Sequence, residues 1–219
     1  MKPKLILALD VDSHKKAKYF IDKLYPTVKI FKVGAQLFTA CGPEVIQLIR
    51  KKGAEAFLDL KYFDIPNTVA GAVRQAVRMR VKMLTMHILG DEEMLKAALS
   101  AAKDEARKLR VKRPLLIGVT VLTSKEANFS DVLTLARIGL ESGLDGVVCS
   151  VREAKLLRSK FKKKFVIVTP GIRHDKDAKF DQKRIATITD AIKAGSDYMV
   201  VGRPILQAPD PLKSAKDFV

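Results

Sequence analysis

Lys4-Leu5-Ile6-Leu7-Ala8-Leu9-Asp10-Val11-Asp12-Ser13 decides the fold. The apolar run 4–9 has the length of a strand. It ends in two carboxylates and a serine suited to cap a helix, without a Gly-x-Gly-x-x-Gly turn. An open doubly wound sheet would be expected to bind a nucleotide at a glycine-rich first turn, so this stretch favours a closed barrel. Working outward, runs of the same kind recur at 28–33, 55–60, 82–87, 114–119, 145–149, 164–169 and 197–201. Amphipathic segments separate them, each long enough for one helix and two short loops. Eight such units predict an α/β fold, a (β/α)8 TIM barrel, with residues 1–219 read as a single domain.

The segments between the runs carry helix ends. Ser13 suits the cap of a helix beginning at His14, Pro43 a first turn after Gly42, and Gly53 the close of that helix. Over Asp91 to Leu109, the residues Met94, Leu95, Ala98, Leu99, Ala102, Ala106 and Leu109 recur at spacings of three and four. Acids open this segment, and Arg107 and Lys108 finish it. After the eighth run, Pro204, Pro209 and Pro211 predict an abbreviated closing helix and leave the C-terminal packing unassigned.

With 219 residues and 47% hydrophobic content, the chain can bury one substantial core, and no stretch reads as a linker. The apolar start is too short for a signal peptide, and no run reaches the roughly 18 to 20 apolar residues of a membrane span. A cytoplasmic protein without membrane contact is expected. Cys41 and Cys149 offer neither a disulfide framework nor a zinc site, and both read as small core hydrophobes. His14, His87 and His174 lie too far apart to suggest a metal cluster, and only His87, at a strand end, is placed to line a site.

Lys and Arg outnumber Asp and Glu by 41 to 24, a formal +17 that would attract nucleic acid or a phosphorylated small molecule. The basic residues are spread over predicted helix surfaces, as in Lys15-Lys16, Lys51-Lys52, Arg107-Lys108 and Lys162-Lys163-Lys164. No aromatics interleave with them as a stacking platform requires. A solvated exterior, not a nucleic-acid groove, is the reading.

Chemistry in such barrels gathers where the strands end. Here Asp10 follows the first run, Lys32 closes the second, Asp59 and Lys61 the third and His87 the fourth. Thr120 and Thr123 follow the fifth, Ser150 the sixth, Pro170 and Gly171 the seventh, and Gly202 and Arg203 the eighth. The last two turns occupy the usual phosphate position, where glycines allow close backbone approach and Arg203 offers a planar fork of donors. Across the bowl, Asp59-x-Lys61-x-x-Asp64 places an ammonium between two carboxylates directly after an apolar run. Together with Lys32, the motif is either a structural ion-pair network or catalytic machinery, and its position at a barrel mouth favours catalysis.

These residues resemble the orotidine 5′-phosphate decarboxylase family. The likeness runs through Ala8-Leu9-Asp10, Phe31-Lys32-Val33-Gly34, Phe57-Leu58-Asp59-Leu60-Lys61 and Asp64-Ile65-Pro66-Asn67-Thr68. It continues through Leu122-Thr123-Ser124, Asp145-Gly146-Val147-Val148-Cys149-Ser150, Val168-Thr169-Pro170-Gly171-Ile172-Arg173 and Val201-Gly202-Arg203. The resemblance implies cofactor-independent, metal-independent conversion of orotidine 5′-monophosphate to uridine 5′-monophosphate in pyrimidine biosynthesis. It implies Lys61, Asp59, Asp64 and Lys32 as the catalytic set, and Asp10 and Lys32 as ribose contacts, with Lys32 also holding Asp59. Thr123 would sit beside the pyrimidine, Gln182 would reach over the ligand to the phosphate, and Pro170, Arg173, Gly202 and Arg203 would complete the binding set. A homodimer is implied in which Asp64, Ile65 and Thr68 enter the partner's site, as is closure of a loop at 172–182. Related barrels that act on sugar phosphates with magnesium share Asp-x-Lys-x-x-Asp, but Ile65-Pro66-Asn67-Thr68 looks like the decarboxylase form. A magnesium-dependent sugar-phosphate decarboxylase or lyase is the second enzyme reading, and a non-catalytic basic nucleic-acid-binding protein is the reading from another class.

Overall fold

The computed structural model of the chain describes residues 2–122, 128–174 and 186–219. In chain order the elements are β1 (Lys4–Ala8), α1 (His14–Leu24), β2 (Ile30–Gly34), α2 (Ala35–Cys41), α3 (Glu44–Lys51), β3 (Glu55–Tyr62), α4 (Pro66–Arg78) and β4 (Met83–His87). Next come a 3-10 turn (Ile88–Gly90), α5 (Asp91–Leu109), β5 (Leu115–Val119), α6 (Phe129–Glu141), β6 (Gly146–Val148), α7 (Val151–Lys160), β7 (Val166–Pro170) and β8 (Ile172–Arg173). The chain ends with β9 (Ala186–Thr187), α8 (Ile188–Lys193), β10 (Tyr198–Val201), α9 (Arg203–Leu206) and α10 (Pro211–Asp217).

Eight parallel strands close in the order β1-β10-β7-β6-β5-β4-β3-β2, which is the (β/α)8 barrel expected from the repeated runs. Alternation along each strand sorts the side chains into two cores. One set, including Ile6, Ile30, Phe57, Met83, Ile117, Val168 and Tyr198, points inward and fills the barrel. The other, with Leu7, Phe31, Leu58, Leu84, Leu116, Ile167 and Met199, points outward and meets the buried faces of the helices. Because inward residues recur every second position, a step or two beyond the apolar plug carries each row to the barrel mouth. Ile6-Ala8-Asp10, Ile30-Lys32 and Phe57-Asp59-Lys61 are such rows. The plug is thus the floor of the pocket described below.

Local chemistry explains the helix starts. Ser13 accepts the Lys16 amide and caps α1, while Pro43 immediately precedes α3, and Gly53, at φ +87°, follows its close. The helix expected over Asp91–Leu109 is α5, which buries Met94, Leu95, Ala98, Ala102 and Ala106. Leu109, expected on that apolar stripe, is instead 41% exposed at the last helical residue. Among the described residues no helix is long and apolar enough to cross a membrane.

Two further expectations need correction. Lys162, Lys163 and Lys164 lie in the loop after α7 and not on a helix, because Phe161 turns to extended backbone and packs edge-on against Phe165. Cys149 is fully buried, but Cys41, at the end of α2, is only partly so. The closing helices are brief, as the prolines predict, with four residues in α9 and seven in α10, and the packing left unassigned is complete. Pro204 and Pro211 occupy first-turn positions, where a missing N–H costs nothing, and Ile205, Ala215 and Phe218 are fully buried.

Candidate active site

A pocket of about 300 Å³ opens above the plug at the C-terminal ends of the strands. Its charged wall begins on β3. Asp59 Oδ1 lies 3.1 Å from Lys61 Nζ, and Asp59 Oδ2 lies 3.3 Å from Lys32 Nζ, so one carboxylate is shared by two ammoniums. Asp10 adds a looser contact, 3.4 Å from Lys32 Nζ. The side chains of Lys32 and Asp59 are 12% and 13% exposed, whereas Lys61 keeps 38%. Lys61 is therefore the ammonium that both belongs to the cluster and faces the space a ligand would fill. Burial pushes the Asp59 carboxyl up, but the Lys32 and Lys61 charges and a hydrogen bond from Thr85 outweigh it and hold the group below the ordinary carboxylate value.

The backbone delivers Lys61 in an unusual way. Its φ of +51° lies in the left-handed region, which a branched or long side chain seldom enters. The β3–β4 register shifts between Leu58 and Tyr62 at the same place. Thr85, buried on β4, secures the distortion from both sides. Its hydroxyl accepts the Lys61 amide at 3.0 Å and donates to Asp59 Oδ1 at 2.9 Å. Sequence reading missed Thr85, and the only signal was a lone hydroxyl inside the apolar run Met83-Leu84-Thr85-Met86.

The opposite wall comes from β7, β8 and the start of α9. Pro170, Gly171, Arg173, Gly202 and Arg203 all line the pocket. A Cβ at Gly202 would meet Asp10 Oδ2 at a tight 3.3 Å and the Ala8 Cβ at an ordinary 3.5 Å, so the two walls approach closely here. Gly171, at φ +78°, turns the chain from β7 into β8, where Arg173 pairs in register with Thr187.

A model of the orotidine 5′-phosphate decarboxylase / HUMPS family matches residues 3–218. The chain belongs to this family. It is 42% identical to the orotidine 5′-phosphate decarboxylase of Moorella thermoacetica, over 98% of this chain and 90% of that protein. With the enzyme of the same name from Vibrio campbellii it shares 45% identity over 98% and 96% of the two chains. The crystal structure of orotidine 5′-phosphate decarboxylase from Lactobacillus acidophilus superposes with a TM-score of 0.86 at 34% identity, covering 99% of this chain and 97% of that one. The resemblance read from the sequence is borne out.

Measured against that family reading, the pocket gathers Asp10, Lys32, Asp59, Lys61, Pro170, Arg173, Gly202 and Arg203. It does not gather Asp64, Ile65 or Thr68. These lie exposed at the entry to α4, where Asp64 accepts the Ile65 amide. Thr123, Gln182 and most of the 172–182 loop fall outside the described residues. Three strand-end polar residues serve otherwise than the site, and one of them, Thr120, donates to the Val148 carbonyl and lines the same neighbouring groove as His87. Ser150 forms a reciprocal capping box with Glu153 on α7. His87 lines a neighbouring groove beside Phe63, its ring pushed toward the neutral form by burial and then by the Lys61 charge, against the pull of Asp59. Among the described residues no group of three or more His, Cys, Asp or Glu side chains is placed to hold a metal ion.

Proposed function

We propose that this chain decarboxylates orotidine 5′-monophosphate to uridine 5′-monophosphate, with Lys61 as both counter-ion and proton donor. The observation that carries the reading is the Lys61 ammonium, 3.1 Å from a carboxylate already shared with Lys32, at the mouth of a pocket whose far wall holds two arginines. Heterolysis of the bond between C6 and its carboxylate releases carbon dioxide and leaves the electron pair on C6. No conjugated sink accepts that pair, so electrostatics must stabilise it. An ammonium about 4 Å away contributes about 4 kcal/mol at an effective dielectric of about 20, and more as water leaves. Lys61 then transfers its proton to C6 and is recharged from solvent beside Asp59.

In this reading Asp10 and Lys32 hold the ribose, while Pro170, Arg173, Gly202 and Arg203 hold the phosphate end with Thr123 and Gln182. Remote phosphate contacts then fix the pyrimidine against Lys61. The working form is a homodimer in which Asp64, Ile65 and Thr68 complete the partner's site. The support is the exposure of those residues within an apolar face, where Phe63 is 61%, Ile65 66% and Leu89 61% exposed.

The test is the fall in absorbance when purified protein meets orotidine 5′-monophosphate in excess chelator. Turnover that persists with chelator and vanishes in Lys61→Ala is expected. Turnover abolished by chelator would point to the magnesium-dependent barrels, and a Lys61→Ala variant of near-normal rate would remove the central residue from the mechanism.

A further inference from the structure

The two arginines that line the far wall come from β8 and from the start of α9, and a buried bridge behind the pocket connects the two segments. His174 follows Arg173 directly, and its Nε2 lies 3.0 Å from Ser214 Oγ on α10. Ser214 Oγ in turn lies 2.8 Å from the carbonyl oxygen of Pro204, the residue after Arg203. The direction of both bonds follows from chemistry. A carbonyl only accepts, so the single hydroxyl hydrogen of Ser214 goes to Pro204, and Ser214 must accept from a protonated His174 Nε2. The Pro204 carbonyl needs this partner because α9 is a single turn, with no later amide to satisfy it. His174 and Ser214 are 7% and 8% exposed, and the buried ring of Phe218 packs against the imidazole, tilted by 42° at a centroid distance of 4.3 Å. Asp217 lies 3.6 Å from the other ring nitrogen. The Ser-His-Asp order mimics a hydrolytic triad, but the serine is enclosed and its hydrogen is committed to a carbonyl, so it has no nucleophilic role.

We infer that the His174–Ser214–Pro204 bridge is a positioning device that sets the spacing of Arg173 and Arg203, and through it the grip on the phosphate group of the substrate. The inference rests on the reading of those two arginines as phosphate ligands. Two segments that approach a small dianion from different sides each lose freedom on binding. A bridge that fixes their separation beforehand removes part of that loss. Such a device acts through the phosphate group, so its loss reaches the pyrimidine end only in a phosphorylated substrate.

The experiment compares steady-state rates on orotidine 5′-monophosphate and on the phosphate-free nucleoside orotidine, with a thermal unfolding transition recorded for each variant. Ser214→Ala and His174→Ala are expected to lower kcat/KM for the nucleotide about tenfold, with the nucleoside reaction within about twofold of wild type. His174→Gln, which keeps an N–H donor at similar reach, should recover most of the loss. Because the two bonds act in series, the double variant should be no worse than either single one. Equal losses on both substrates, an unchanged kcat/KM for the nucleotide or additive losses would overturn the bridge. If His174→Ala does not fold, Ser214→Ala, which deletes one oxygen, decides alone. Arg173→Ala and Arg203→Ala run alongside. If they lose more on the nucleotide than on the nucleoside while the bridge variants do not, only the bridge falls. If they lose equally on both, the phosphate reading falls and takes the bridge with it.

Discussion

Thr85 is the residue on which the Lys61 geometry turns. It offers one acceptor to the Lys61 amide and one donor to Asp59, and it has no exposure to solvent. Thr85→Val preserves shape but strands the Lys61 N–H and leaves Asp59 Oδ1 with the Lys61 ammonium and without its hydroxyl donor, a penalty of about 1–3 kcal/mol. The expected outcome is a fall in kcat/KM of about tenfold to a hundredfold with a lower urea midpoint, since the strained φ at Lys61 loses its anchor. A Thr85→Val variant with unchanged kinetics would mean that Lys61 holds its position without help. The pH profile gives a second check on the same cluster. Asp59 has a depressed pKa in the folded protein, so its favourable contribution is present above the ordinary carboxylate value of 3.8 and is lost as pH falls through the lower folded value. Lys32→Met removes one of the charges that hold Asp59 down, while burial remains. The acid limb of both stability and kcat/KM should therefore move upward, read as the midpoint of the pH profile relative to each variant's own maximum.

At the scale of elements, the sequence was most legible where one period repeats. The eight apolar runs became the eight barrel strands because inward and outward faces are both apolar, and the pocket residues fell at strand ends because a polar inward side chain has nowhere else to go. What stayed hidden depends on chain segments far apart. Thr85 reads as an ordinary strand residue until β3 shifts register beside it, and Ser214 reads as a helix-surface serine until α10 folds back on His174. Strand contact also explains Gly146, which opens the three-residue strand β6. A Cβ there would stand 2.1 Å from the Val166 carbonyl oxygen on β7, a backbone atom that no rotamer change can move. Gly146→Ala should therefore push two barrel strands apart and destabilise by about 3 kcal/mol or more. A urea unfolding curve with a lower midpoint and an unchanged slope is the expected record, and an unchanged midpoint would show that the β6–β7 seam yields cheaply.

For the whole molecule, the question is whether one chain holds a complete site. Lys61 is inside the pocket, while Asp64, three residues on, is outside it at the start of α4, surrounded by exposed Phe63 and Ile65. An apolar patch beside a charged residue of the same motif fits a second copy whose pocket receives Asp64, and the symmetry of a two-fold pair makes the exchange mutual. The test separates the two residues between subunits. Lys61→Ala and Asp64→Ala homodimers should each be nearly inactive, since one lacks the ammonium and the other the carboxylate supplied to its partner. In a hybrid, one site carries both defects and the other carries neither. Random reassortment after joint unfolding and refolding makes half of the dimers hybrids, so about a quarter of wild-type activity should return. If the site were built within one chain, every hybrid site would keep its own defect and the mixture would stay inactive. Sedimentation of the wild type supplies the companion observation, because a fully active monomer at assay concentration would contradict the shared site whatever the hybrids do.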